Sequence, residues 1–155
     1  IISQEIILID GDDAFSLYNK VINVAQKQIV KFTLQLESKG EFLKILKQDN
    51  SKGNSWRKRT KYDGIIDFRM TSKAIFNLVN ALSRPYVGAS LEFQGKEVKI
   101  WKVIVEKFNK SNLEPGKVLN IDGNDIIVKT YDGSIRITDH DFKQLPLKGQ
   151  YLWKI

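Results

Sequence analysis

The chain has 155 residues, 42% of them apolar, with 25 basic residues against 18 acidic ones and a formal charge of +7. That size and apolar share suit one good core or two small units and exclude a disordered chain. No run reaches the ~18 consecutive apolar residues of a membrane span, and zero cysteines exclude disulfides, zinc–thiolate sites and thiol catalysis within the chain.

No secretion signal is visible at the start, and the lack of disulfides fits a reducing, cytoplasmic setting. Ile1 is not a natural start residue, so the chain is expected to be a fragment. Residues 4–9 (QEIILI) form a short β-branched run, predicted as a buried strand. Asp10-Gly11-Asp12-Asp13 punctuates it, and Asp12 or Asp13 can cap a helix. From Ala14 the apolar pattern turns helical. Phe15, Tyr18, Ile22, Ala25, Ile29, Phe32 and Leu36 step by three and four along one face, and Gly40 suits the stop. That stripe needs something outside its own strand to pack on.

Residues 49–55 are polar, small and glycine-containing, the composition of a connector. Thr71 or Ser72 can cap a second helix whose buried face holds Ile75, Leu78, Val79 and Leu82, and Pro85 ends it. After Gly88 the period changes to that of strands. Residues 89–93, 98–105, 117–121, 126–130 and 135–138 are separated by Gln94-Gly95-Lys96, Glu114-Pro115-Gly116, Asp122-Gly123-Asn124 and Tyr131-Asp132-Gly133. Five short strands behind one helix predict a small antiparallel barrel. Trp101 and Trp153 are expected to pack in or against it.

Chemistry concentrates at Trp56-Arg57-Lys58-Arg59-Thr60-Lys61-Tyr62-Asp63-Gly64-Ile65-Ile66-Asp67-Phe68. Arginine offers bidentate hydrogen bonds to phosphate or carboxylate, and Trp56 and Tyr62 can stack on a base, a sugar or a pteridine. The alternative is a solvated linker in which Arg57 and Arg59 pair with Asp63 and Asp67. The candidate substrate-binding residues are therefore Trp56, Arg57, Arg59, Tyr62 and Asp63. His140, the only histidine, lies between Asp139 and Asp141. One histidine without a second His or Cys predicts a surface turn rather than a metal site, and no metal is expected. No triad and no glycine-rich phosphate loop is readable, so no catalytic residue is assigned within the chain.

The segment from Arg59 to Phe68, together with Ala81-Leu82-Ser83-Arg84-Pro85-Tyr86-Val87-Gly88-Ala89, resembles the formyltransferases that use 10-formyltetrahydrofolate. Leu113-Glu114-Pro115-Gly116-Lys117-Val118 and Tyr131-Asp132-Gly133-Ser134-Ile135 look like turns of that family's C-terminal domain, while Phe68 stands where the family usually has Trp and Asn80 where it often has Arg. The resemblance implies an α+β chain: residues 1–48 from the end of a Rossmann-like catalytic domain, residues 49–66 as a basic connector, and residues 67–155 as an OB-like β-barrel domain. It implies that the catalytic Asn, His and Asp, and most of the site for 10-formyltetrahydrofolate, lie before Ile1, and that His140 does not inherit the catalytic role. It implies a parent enzyme that formylates a primary amine, on a nucleotide-linked sugar or on methionyl-tRNA. The Arg-Thr-x-x-Asp-Gly form of the connector, and cations gathered beside Trp56 and Tyr62, make the nucleotide-sugar the favoured expectation. A homodimer is a further expected partner arrangement, and a membrane is not expected. The rival of another class is a stand-alone RNA-binding module, which requires exposed aromatics and lysines together on the barrel face.

Overall fold

A computed structural model describes residues 11–39, 47, 49–109 and 112–152. The predicted strand at 4–9, the stop at Gly40 and Trp153 lie outside the described residues. The chain divides into two compact units, Ile1–Lys58 and Arg59–Ile155.

The first unit contains helix α1, Ala14–Lys39. Asp13 is its N-cap: its carboxylate accepts from Ser16 N at 2.8 Å, and Ser16 Oγ accepts from Asp13 N at 3.0 Å. This reciprocal pair satisfies two backbone donors at the helix start, as capping predicts. Asp12 also contributes, taking Ser16 Oγ and Lys20 Nζ. The apolar stripe is as broad as the pattern predicts but uncovered. Phe15, Ile22, Ile29 and Phe32 are all exposed, and Val30 and Leu34 widen the exposed surface. The expected partner for this face is not supplied by the described residues.

The second unit holds helix α2, Ser72–Ala81, and five strands: β1 Ala89–Phe93, β2 Lys96–Glu106, β3 Val118–Asp122, β4 Asp125–Lys129 and β5 Ser134–His140. Thr71 caps α2 by accepting from Ala74 N at 3.2 Å. Ile75 and Val79 face the core, while Leu78 and Leu82 pack at its margin. The β1–β2 hairpin turns on Gln94 and Gly95, both at positive φ, with Phe93 opposite Lys96. That is the two-residue turn whose twist matches the strands.

All pairings are antiparallel, in the order β1-β2-β5-β4-β3. The sheet is open, which corrects the expected closed barrel. Its two edges are covered by other segments instead of by each other. Ile66 N donates to Ser90 O of β1 at 2.8 Å. At the β3 edge, Val118 N donates to Gln150 O and Gly149 N donates to Val118 O, each at 2.8 Å. Capping an edge in this way hides its unpaired backbone groups without ring closure. A bulge in β2 at Trp101 shifts the register, so Ile100 and Val103, three residues apart, are both buried.

Every buried apolar residue among those described falls between Ile66 and Leu152, centred on Phe68, Ile75, Ile100, Ile126, Ile135 and Ile137. Phe68 fills the place where the resemblance expects Trp and is wholly buried. Lys129 is also buried, only 2% exposed, and its Nζ donates to Thr130 O at 2.6 Å. A buried ammonium needs such partners. Here they close the loop between β4 and β5.

Candidate functional site

The five residues singled out from the sequence fall on both sides of the division at Lys58. In the first unit, Trp56 is 74% exposed and its Nε1 donates to Asn54 Oδ1 at 3.1 Å. Arg57 is exposed and donates to Lys58 O at 3.4 Å. Both of these hydrogen bonds are local in sequence.

In the second unit the chain enters through a 3₁₀ turn, Lys61–Gly64. Asp63 builds this turn: its Oδ2 accepts from Thr60 N at 2.7 Å and from Thr60 Oγ1 at 3.3 Å. Arg59 lies 3.8 Å from the other carboxylate oxygen and keeps 62% of its side chain exposed. An exposed pair at that distance contributes little to stability. Tyr62 projects from the turn, 70% exposed, with Lys61 Nζ 5.3 Å from its ring centre. Thus Arg59, Tyr62 and Asp63 share one turn, with the aromatic and the cation accessible and the carboxylate engaged in shaping the backbone.

Of the ion pairs that the linker alternative expects, Arg59–Asp63 forms. Asp67 instead accepts from Arg69, through Nε at 2.9 Å and a terminal nitrogen at 2.6 Å. That hydrogen bond holds the Asp67 carboxyl below the usual carboxylate range. Asp67 also takes Arg69 N at 2.9 Å, tightening the bend before α2.

His140 is used structurally. Phe142 N donates to its Nδ1 at 3.3 Å, so Nε2 carries the proton and donates to Asn124 O at 2.8 Å. The flanking carboxylates turn elsewhere, Asp139 to Arg84 at 2.8 Å and Asp141 to Trp101 Nε1 at 3.0 Å. They do not converge on the imidazole.

Two charged networks were not read from the sequence. Arg136 is held by Glu106, Asp122 and Asp125, which push its pKa above the ordinary arginine value, Glu106 most strongly. Cross-strand distance hides that grouping: it needs the β5 register on both neighbours. The other network is a stack. Trp101 lies against Gly88, where a Cβ would come 2.8 Å from the ring, and the guanidinium of Arg84, from the turn between α2 and β1, sits 4.2 Å from the ring centre. Gly88 has φ +76. Close approach and backbone conformation both require glycine there. Among the described residues of this unit, the exposed aromatics Tyr62, Tyr86 and Tyr131 sit in turns and not on strands. That placement disfavours a sheet face built for base stacking.

Comparison with known proteins gives this architecture its class. The family "Formyl transferase, C-terminal domain" matches residues 58–154, and the chain belongs to it. Methionyl-tRNA formyltransferase of Pseudothermotoga lettingae is 34% identical over 145 residues, covering 92% of this chain and 45% of the relative. That of Natranaerobius thermophilus is 33% identical, covering 82% of this chain and 41% of the relative. That of Mycoplasma capricolum is 27% identical, covering 97% and 48%. The chain therefore spans under half the length of these curated relatives. Among solved structures, HypX from Aquifex aeolicus in complex with tetrahydrofolic acid matches with a TM-score of 0.55 at 24% identity, over 76% of this chain and 20% of HypX. That likeness concerns the fold.

Proposed function

We propose that the chain is the C-terminal part of an enzyme that moves the formyl group of 10-formyltetrahydrofolate onto the amine of methionyl-tRNA. The observation that carries the proposal is the match with methionyl-tRNA formyltransferases at 27–34% identity across most of the chain. This reverses the order of acceptors expected from the connector, where the nucleotide-linked sugar stood first. The charge distribution supports the reversal. Residues 59–155 hold 16 basic residues against 11 acidic ones. Lys61, Lys73, Lys96, Lys102, Lys143 and Lys148 are exposed and dispersed along that unit. A diphosphate needs few cations in one place, whereas a folded RNA presents phosphates over a wide surface.

On this reading α1 belongs to the end of a Rossmann-like catalytic domain, and the second unit is an accessory RNA-holding module. The reaction needs a deprotonated amine to attack the formyl carbon as the bond to the folate nitrogen breaks. That nitrogen takes a proton and the amine loses one. The described histidine and its flanking carboxylates do not fit this proton transfer. The one histidine is committed to Asn124 O and Phe142 N, and Asp139 and Asp141 are paired away from it. No step is routed through them.

A chimera tests the acceptor. Residues 1–155 replace the matching region of the Pseudothermotoga lettingae enzyme, and folding is checked by circular dichroism. Formylation of methionyl-tRNA within about tenfold of the parent rate, a loss under ~1.4 kcal/mol of transition-state stabilisation, is expected. A folded chimera that formylates amino-sugar nucleotides and not methionyl-tRNA contradicts the proposal.

A further inference from the structure

Between the Lys61–Gly64 turn and the last turn of α2 lies a cavity of about 330 Å³. This is the small end of the ~300–1,000 Å³ range of ligand pockets. Its floor is apolar, made by Leu78 and Ala81 of α2, by Leu82 that follows it, and by Val87. Arg59, Lys61, Thr60 and Asp63 stand at its rim. The walls are fixed from both sides. Gly64 is buried so close to α2 that a Cβ would stand 3.0 Å from Leu82 Cδ1. The Val87 turn is tied by Gly88 N donating to Leu82 O at 2.9 Å and by Trp101, whose ring lies against Gly88 and within 4.2 Å of the Arg84 guanidinium. A preformed apolar floor under a cationic rim lowers the ordering cost of binding an amphipathic anion.

We propose that this cavity holds one nucleoside 5′-phosphate, its base on Leu78, Leu82 and Val87 and its phosphate on Arg59 and Lys61. An apolar floor suits the largely apolar face of a base. Arg59 supplies planar donors for phosphate oxygens and Lys61 a second positive charge. Thr60 and Asp63 hold the turn that presents those two cations, through Thr60 N and Oγ1 donating to Asp63 Oδ2. A fatty acid would leave those polar groups facing hydrocarbon, which is costly. The inference deepens the proposed function and rests on it for its source: the nucleotide belongs to an RNA strand or to a nucleotide-linked sugar.

The test titrates AMP, CMP, GMP and UMP separately into the 155-residue chain, with chemical-shift mapping by NMR. Two variants run beside it. Ala81→Trp fills the cavity from an exposed position, and Arg59→Ala removes the phosphate contact; both are checked for an unchanged thermal melt. Saturable binding of at least one nucleotide at about 1 mM or tighter is expected, with shifts at Leu78, Leu82 and Val87. Arg59→Ala should weaken it about tenfold, and Ala81→Trp should abolish it. No saturable binding of any of the four, or equal binding by wild type and Arg59→Ala, overturns the proposal. Competition then separates the sources. Displacement of the nucleotide by tRNA assigns the pocket to RNA, and displacement by a uridine diphosphate sugar alone assigns it to a sugar nucleotide. If tRNA binds the chain but no nucleotide does, the pocket fails and the methionyl-tRNA reading stands. If a nucleotide binds but tRNA does not, the pocket stands and that reading fails.

Discussion

At the scale of single residues, polar side chains join segments of the second unit that are distant in sequence. Asp132 shows how. It accepts from Ser72 N at 2.7 Å and from Ser72 Oγ at 3.1 Å, so a loop 60 residues away finishes the start of α2. The Ser72 backbone hydrogen bond holds its carboxyl below the ordinary value of 3.8. The sign follows from linkage. A carboxylate whose folded pKa is depressed adds stability above its unfolded pKa and loses it as pH falls through the folded value. Asp132→Asn is therefore expected to lower the melting temperature at neutral pH, by an amount equivalent to about 1 kcal/mol or less. The gap to wild type should close well below pH 3.8, as thermal melts across the acid range would show. A gap that is constant with pH would show that the charge contributes nothing. The sequence marks Asp132 as a turn residue through its Asp-Gly pair, but its partner on α2 is invisible there. The same holds for Arg136, whose three carboxylates come from three different strands or strand ends.

Local patterns carry most of the element-scale structure. Asp13 as cap, Thr71 as cap, and hairpin turns at Gln94-Gly95 and Gly123-Asn124 are all legible because each is a contact between near neighbours. What is not legible is how the sheet ends. Strand count and turn spacing suit a barrel or an open sheet equally, and the choice is made by residues 65–66 and 149–152 covering the edges. The bulge at Trp101 leaves only a trace in the sequence, the change of parity between Ile100 and Val103, which strand count and turn spacing do not use. The β1–β2 turn offers an element-scale prediction. Gln94 has φ +52, a conformation that asparagine adopts more readily than glutamine, and its side chain is exposed. Gln94→Asn should stabilise the second unit by about 0.5 kcal/mol, read as a raised denaturation midpoint with an unchanged slope. A lowered midpoint would mean that the turn is not held in that conformation.

At the scale of the whole molecule, the family match runs over residues 58–154, and the candidate site is legible as a segment before it is legible as a surface. Arg59, Tyr62 and Asp63 share one turn, but the apolar floor beside them comes from Leu78, Ala81, Leu82 and Val87. Leu78 and Leu82 read from the sequence as the buried face of a helix, and Val87 as part of the turn that follows Pro85. The acceptor was the least legible point. The same arginines suit a diphosphate or an RNA strand, and only the spread of exposed lysines over the second unit, with the relatives, favours RNA. The most direct measurement is the salt dependence of methionyl-tRNA binding to the 155-residue chain, with an amino-sugar nucleotide as competitor. If about four cations of the connector and second unit meet phosphate, log Kd should rise with log salt concentration with a slope of about 3, and the sugar nucleotide should compete weakly. A slope near zero, or full displacement of the RNA by the sugar nucleotide at low concentration, would contradict a tRNA-binding role.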